Sequence, residues 1–244
     1  MIYDQILKKR LNGKKQIAVL IDPDKTDQSK LSGLLMSVNE TPPDLIFVGG
    51  SLISANIDIT LKVIKEITNI PVLLFPGSSI QISRFADGIL FLSLLSGRNP
   101  EFLISHHVSS APLLKSSGME VVSTGYILID GGTVSSVEYM SNTKPIPGTK
   151  TDLATATAIA GEMMGMKMLY LEAGSGAITP VPKTMITKVK EQTGIPLIVG
   201  GGLNSTEKIK AACAAGADIV VVGNAFEKDT HLLRSFVETV REYN

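Results

Sequence analysis

Glu172 ends the apolar run 168–171 and is followed by Ala173-Gly-Ser-Gly-Ala177. A carboxylate at such a point is placed to take a proton from a reacting hydroxyl, provided that hydroxyl comes within hydrogen-bond reach. The plainer reading is a structural carboxylate capping the adjacent turn. Tyr170, two residues earlier, points to the same face by strand alternation, either to bond substrate or to fill an interior. Asp22 ends another apolar run, 17–21, with Asp24 two residues on. Hard cations such as Mg2+ take oxygen ligands, usually one or two carboxylates plus substrate phosphates, although Asp-Pro-Asp also suits a simple turn. Ser51, after two glycines, offers a hydroxyl ligand or a helix cap. Gly200-Gly-Gly202, Gly223-Asn224 and Gly174-Ser-Gly176 are turns where main-chain N–H groups can approach an anion closely.

The elements that position these groups follow a repeating rhythm. Short apolar runs rich in β-branched residues occur at 17–21, 45–48, 72–75, 89–92, 121–129, 168–171, 197–199 and 219–222. Such runs read as strands buried on both faces, as in parallel sheets. Helical spacing is expected between most of them: Leu31, Leu34, Leu35 and Val38 share one face, and Ile57, Leu61, Ile64 and Ile67 another. Further helices are expected at 100–115, 152–164, 182–192 and 207–215, the last capped by Asn204 or Ser205 and stopped by Gly216. A final helix carries Leu232, Leu233, Phe236, Val237 and Val240. Between the third and fourth strands too few residues remain for a full crossover helix. A short turn, a clipped helix or an extended piece must fill 80–85. The polar, Pro/Gly-rich stretch 130–150 is long enough to be a functional loop.

Eight strands in 244 residues suit one (β/α)8 TIM barrel over 1–244, whose usual length is about 250. An open doubly wound sheet normally has fewer strands in this length and one dominant glycine-rich turn. Barrel enzymes carry their chemistry at the C-terminal strand ends, with phosphate bound after strands 7 and 8, where the glycine turns fall.

Charge is balanced at 23 basic and 23 acidic residues, which argues against nucleic acid as a partner. The lone Cys213 excludes an internal disulfide framework and suits packing. His106 and His107 are neighbours within a helix and face different directions, and His231 opens the last helix, so a two-histidine metal site is not expected. No lysine ends an apolar strand as a Schiff-base residue would, and no G-x-S-x-G elbow occurs. The N-terminus lacks a signal peptide's long apolar region, and no apolar run reaches the roughly 18 residues a membrane span needs. A cytoplasmic protein with at most peripheral membrane contact is expected.

Ile21-Asp-Pro-Asp-Lys25, Val48-Gly-Gly-Ser51, Tyr170-Leu-Glu-Ala-Gly-Ser-Gly-Ala177, Val199-Gly-Gly-Gly202 and Val222-Gly-Asn224, in this order across nearly the whole chain, resemble the geranylgeranylglyceryl phosphate synthases, prenyltransferases of ether-lipid synthesis. The resemblance implies a (β/α)8 barrel modified around the third helix. It implies transfer of a long prenyl group, geranylgeranyl in the family's name, from its diphosphate to the C3 hydroxyl of sn-glycerol 1-phosphate, with release of pyrophosphate. It implies Mg2+ held by Asp22 and Ser51. Glycerol phosphate would be held by Tyr170, Leu171, Glu172, Ala173, Gly174, Ser175, Gly176, Ala177, Gly201, Gly202, Gly223 and Asn224, with Glu172 as base. It further implies a homo-oligomer. Many members carry a lysine where this chain has Leu20, so that phosphate contact is absent or supplied elsewhere, with Lys25 a candidate. Donor length stays open, and its apolar groove is expected along 89–95 or helix 152–164. The other readings are a flavin-dependent or amino-acid-biosynthesis barrel and a non-catalytic phosphate- or lipid-binding barrel.

Overall fold

The computed structural model of the chain describes residues 1–26, 28–223 and 232–244. β1 (Gln16–Ile21), β2 (Leu45–Val48), β3 (Val72–Leu74), β4 (Gly88–Leu94), β5 (Glu120–Leu128), β6 (Met168–Glu172), β7 (Leu197–Gly200) and β8 (Ile219–Val222) pair in parallel and close into a barrel, β8 back on β1. Around it lie α1 (Ile2–Leu11), α2 (Gln28–Glu40), α3 (Ile57–Ile67), α4 (His106–Ser117), α5 (Ser136–Ser141), α6 (Thr151–Met163), α7 (Lys183–Gln192), α8 (Thr206–Ala215) and α9 (Leu232–Arg241). The expected barrel is therefore observed. The expected cap and stop of α8 are too: the Ser205 hydroxyl accepts from Lys208 N, and Gly216 takes the left-handed turn.

Two apolar layers follow from strand alternation. Outward residues such as Ile17, Val19, Leu169, Leu171 and Val199 pack against helices. Inward ones such as Ala18, Phe47, Leu90, Tyr126, Tyr170 and Ile198 fill the barrel. Between β3 and β4 no helix forms, and residues 76–87 cross as turns and irregular backbone. The next crossover opens with a π-helical turn, Glu101–Ser105, before α4 begins. A π turn is rare and marks functional places more often than ordinary helix does. Within the long 130–150 stretch, α5 forms with Ser135 as its cap and Asn142 in the left-handed conformation at its end, an element that sequence periodicity does not reveal.

The N-terminal face of the barrel is tied by carboxylates. Asp44, Asp87 and Asp218 each precede a strand and accept a backbone N–H from the first or second residue of its neighbour, at Ile17, Val72 and Leu197. Each also meets a lysine: Lys9, Lys65 and Lys190. Asp218 is the most enclosed, with a side chain only 5% exposed, and it also takes Arg10 Nε at 3.3 Å. Removing it strands a buried N–H and two cations. Asp218→Ala should cost about 2–4 kcal/mol in urea unfolding. Asp87→Ala, at a side chain 35% exposed, should cost only about 1 kcal/mol because water can replace its bonds.

Candidate active site

The C-terminal strand ends surround an open bowl of about 700 Å3. On one side stand Glu172, Gly174, Ser175, Gly176 and Ala177 after β6, Gly201 and Gly202 after β7, and Gly223 after β8. Facing them are Asp22 and Lys25 after β1 and Ser51 after β2. Tyr170 and Tyr126 lie at its floor.

Glu172 is the inward residue that ends β6, and only 7% of it is exposed. Gly174 N donates to its Oε1 at 2.7 Å. Burial pushes its carboxyl up to about 7, against the pull of the Tyr170 hydroxyl and the Gly174 N–H, which favour the anion. The Tyr170 hydroxyl is itself buried and closes no hydrogen bond of good geometry. It lies near enough to act on the carboxylate electrostatically. A Cβ on Gly200 would stand 2.5 Å from that hydroxyl and 2.7 Å from Glu172 Oε2. One on Gly201, whose φ is +81°, would stand 2.5 Å from Glu172 Oε1 and 2.7 Å from Gly174 N. The β7 glycines thus do two things: they leave room for the Glu172 carboxylate, and they expose main chain to the bowl, an anion-binding arrangement.

Leu171 and Ala173 do not present side chains to the bowl. Both pack outward with the helices, because they alternate with Tyr170 and Glu172, so only their backbone can serve a ligand. Asn224 and His231 lie outside the described residues.

Across the bowl, the turn reading of Asp22 is observed. Its Oδ1 accepts from Asp24 N at 3.1 Å, which makes the turn. The carboxylate nevertheless lines the bowl, and Lys25 Nζ stands 2.9 Å from its Oδ2. Asp24 also lines the bowl, but its carboxylate is taken up by loop donors. It accepts from Ser54 N, Ser54 Oγ and Ala55 N, which holds its carboxyl below the usual range and ties the loops after β1 and β2. Leu20 occupies the inward position on the bowl wall, and Lys25 is the basic side chain that lines the bowl among the described residues. Asp22 and Ser51 offer the hard oxygen donors Mg2+ takes. Among the described residues no group of three His, Cys, Asp or Glu side chains converges. A cation here would therefore complete its shell from substrate phosphate and water.

Beside the bowl runs a narrow cleft of about 90 Å3, lined by apolar side chains of β4 and the π turn, including Ile89, Phe91, Leu94 and Phe102, and by His106, His107 and Ser110 of α4. The expected 89–95 region does line it; helix α6 does not. His106 and His107 both reach this cleft, edge-on to Phe102 and Phe91. Burial lowers the His107 pKa, and its Nε2 bonds Ser93 Oγ at 3.0 Å. A neutral, ring-packed imidazole is compatible with an apolar guest. Gly50, Ser51, Phe75, Tyr126 and Val137 line bowl and cleft alike. Phe75 and Tyr126 carry no sequence signal beyond strand apolarity and escape motif reading. Only their shared position marks them.

The family described as PcrB matches residues 5–240. A geranylgeranylglyceryl phosphate synthase of Chitinophaga pinensis is 50% identical over 240 residues, covering 98% of this chain and 95% of its own. That of Flavobacterium johnsoniae is 50% identical over 235 residues, with 96% and 97% covered. Among solved structures, (S)-3-O-geranylgeranylglyceryl phosphate synthase from Thermoplasma acidophilum, in complex with its substrate sn-glycerol-1-phosphate, superposes with a TM-score of 0.93 at 31% identity, covering 99% of both chains. On this agreement of barrel, strand-end residues and nearly full-length similarity, the chain belongs to the PcrB family, that of the geranylgeranylglyceryl phosphate synthases.

Proposed function

We propose that this chain joins a prenyl group, geranylgeranyl, from its diphosphate to the C3 hydroxyl of sn-glycerol 1-phosphate and releases pyrophosphate. The observation that carries the reading is Glu172: a buried carboxyl raised to about 7, in a glycine-lined bowl that adjoins an apolar cleft. The phosphate of the acceptor binds main chain at Gly174, Gly176, Gly201, Gly202 and Gly223, with Asn224 beside them in sequence. This fixes the glycerol hydroxyl toward Glu172, whose carboxylate takes its proton as the ether bond forms. The prenyl tail enters the cleft, displacing side chains such as Phe102. Asp22 and Ser51 would hold Mg2+, which would neutralise charge on the leaving diphosphate. Lys25, which lines the bowl beside Asp22, supplies to phosphate the positive charge that Leu20 cannot.

No described helix is long and apolar enough to cross a membrane. A homo-oligomer fits the same reading, since Leu153 and Met163 of α6 are exposed and self-association would cover them.

The test is incubation with labelled sn-glycerol 1-phosphate and prenyl diphosphates of several lengths, following label into the organic phase. Transfer should require Mg2+ and favour the geranylgeranyl donor; absence of transfer with every donor would reject the reading. Glu172→Gln should lower kcat at least about 100-fold while calorimetry still detects glycerol phosphate binding. With its carboxyl raised to about 7, Glu172 loses its basic form as pH falls. The kcat/KM of the wild type should therefore decline about tenfold per pH unit below that value. A midpoint near 4.5, an ordinary glutamate, would show that burial does not govern the base. Asp22→Asn should raise the Mg2+ concentration for half-maximal rate by about tenfold, the effect of losing one ligand charge. An unchanged Mg2+ dependence would remove Asp22 from that role.

A further inference from the structure

The wall shared by bowl and cleft is aromatic. Phe75, just after β3, and Tyr126 of β5 line both spaces, with Tyr170 of β6 against them. Ring centroids lie 6.0 Å apart for Phe75–Tyr126, 5.5 Å for Phe75–Tyr170 and 5.3 Å for Tyr126–Tyr170, with the planes tilted by 46°, 38° and 57°. Phe75 is fixed in place: its N–H donates to Val48 O at 2.8 Å and its ring stacks on Phe47 at 6.4 Å. Tyr126 and Tyr170 are register partners across β5 and β6.

This inference rests on the reading above, in which three parts of the substrates meet at one point. The diphosphate lies toward Asp22 and Ser51, the tail in the cleft, and the attacking hydroxyl near Glu172. The allylic C1 must then lie where bowl and cleft join. As the C1–O bond to the diphosphate breaks, its electron pair leaves on the diphosphate oxygen, and positive charge spreads over the allylic carbons. The glycerol C3 oxygen gives a lone pair to C1, and its proton passes to the Glu172 carboxylate. A carboxylate placed against C1 could trap that charge covalently. Ring faces carry negative potential without offering a nucleophile, and they keep water out.

We propose that Phe75 and Tyr126, backed by Tyr170, are catalytic residues whose ring faces stabilise the positive charge that develops on the allylic carbons during transfer. The ring faces act on charge present in the transition state and scarcely in the bound diphosphate, so their loss shows in the rate of the chemical step and not in donor affinity.

The experiment replaces Phe75 with phenylalanines bearing one, two and three ring fluorines, which keep the ring's shape while draining its negative face. Single-turnover rate constants and donor Kd are measured for each. The logarithm of the rate should fall stepwise with fluorine number, reaching about 10-fold at three, with donor Kd unchanged within about twofold. Tyr126→Phe should stay near the wild-type rate, and Tyr126→Leu should fall well below it. A flat fluorine series in an active enzyme overturns the aromatic assignment and leaves the transferase reading standing. A wild type that transfers nothing removes both.

Discussion

Side-chain parity in a closed parallel barrel is the constraint on which the rest of this molecule depends. Once β1 to β8 pair in register around the ring, each residue is committed inward or outward with no slack, because a one-residue slip would invert every strand. Ala18 and Leu20 face in while Ile17, Val19 and Ile21 face the helices. On β6, Tyr170 and Glu172 face in while Leu169 and Leu171 face out. The burial of Ile, Val and Leu in the outer layer, at about 25 cal/mol per Å2 of apolar surface, holds that register. In doing so it forces a carboxylate into the barrel mouth, where water cannot fully solvate it.

The consequence is electrostatic. Glu172 and Asp24 are both carboxylates at strand ends, yet they are shifted in opposite directions. Asp24, exposed and fed by main-chain donors of the 54–55 turn, favours its anion and fastens two loops. Glu172 has one main-chain donor and a buried site, so its proton affinity rises toward neutrality. For the proposed transfer, a base poised there is useful in a way that a well-solvated one is not. The β7 glycines are the structural condition for this, since any side chain at Gly200 or Gly201 would occupy the place of the carboxylate.

The two ends of the barrel divide the work. At the N-terminal end, Asp44, Asp87 and Asp218 satisfy strand-initial N–H groups and lysines, which is a matter of stability. At the C-terminal end, main chain is bare of side chains around an open bowl, which is a matter of binding. Barrel enzymes separate stability from activity in this way. The missing helix after β3 and the π turn before α4 belong to the second end: together they leave the side of the barrel open as an apolar cleft joined to the bowl.

Much of this was legible in the sequence, because its causes are local. Buried β-branched runs, glycine turns and the position of Glu172 at a strand end each depend on a few neighbouring residues. So does the shortage of chain between the third and fourth strands, and these suffice to predict a barrel and the carboxylate at its mouth. The six-residue helix α5 was not legible, since it is too short to show a period and is held by its Ser135 and Asn142 ends. Nor was the role of Leu171 and Ala173, whose side chains a motif places at the site and parity turns away. The pairing of Lys25 with Asp22 is local, three residues apart in one turn, but the meeting of Phe75, Tyr126 and Tyr170 comes only from tertiary structure. Residues from β3, β5 and β6 become neighbours because the sheet closes on itself, and no spacing along the chain records that closure.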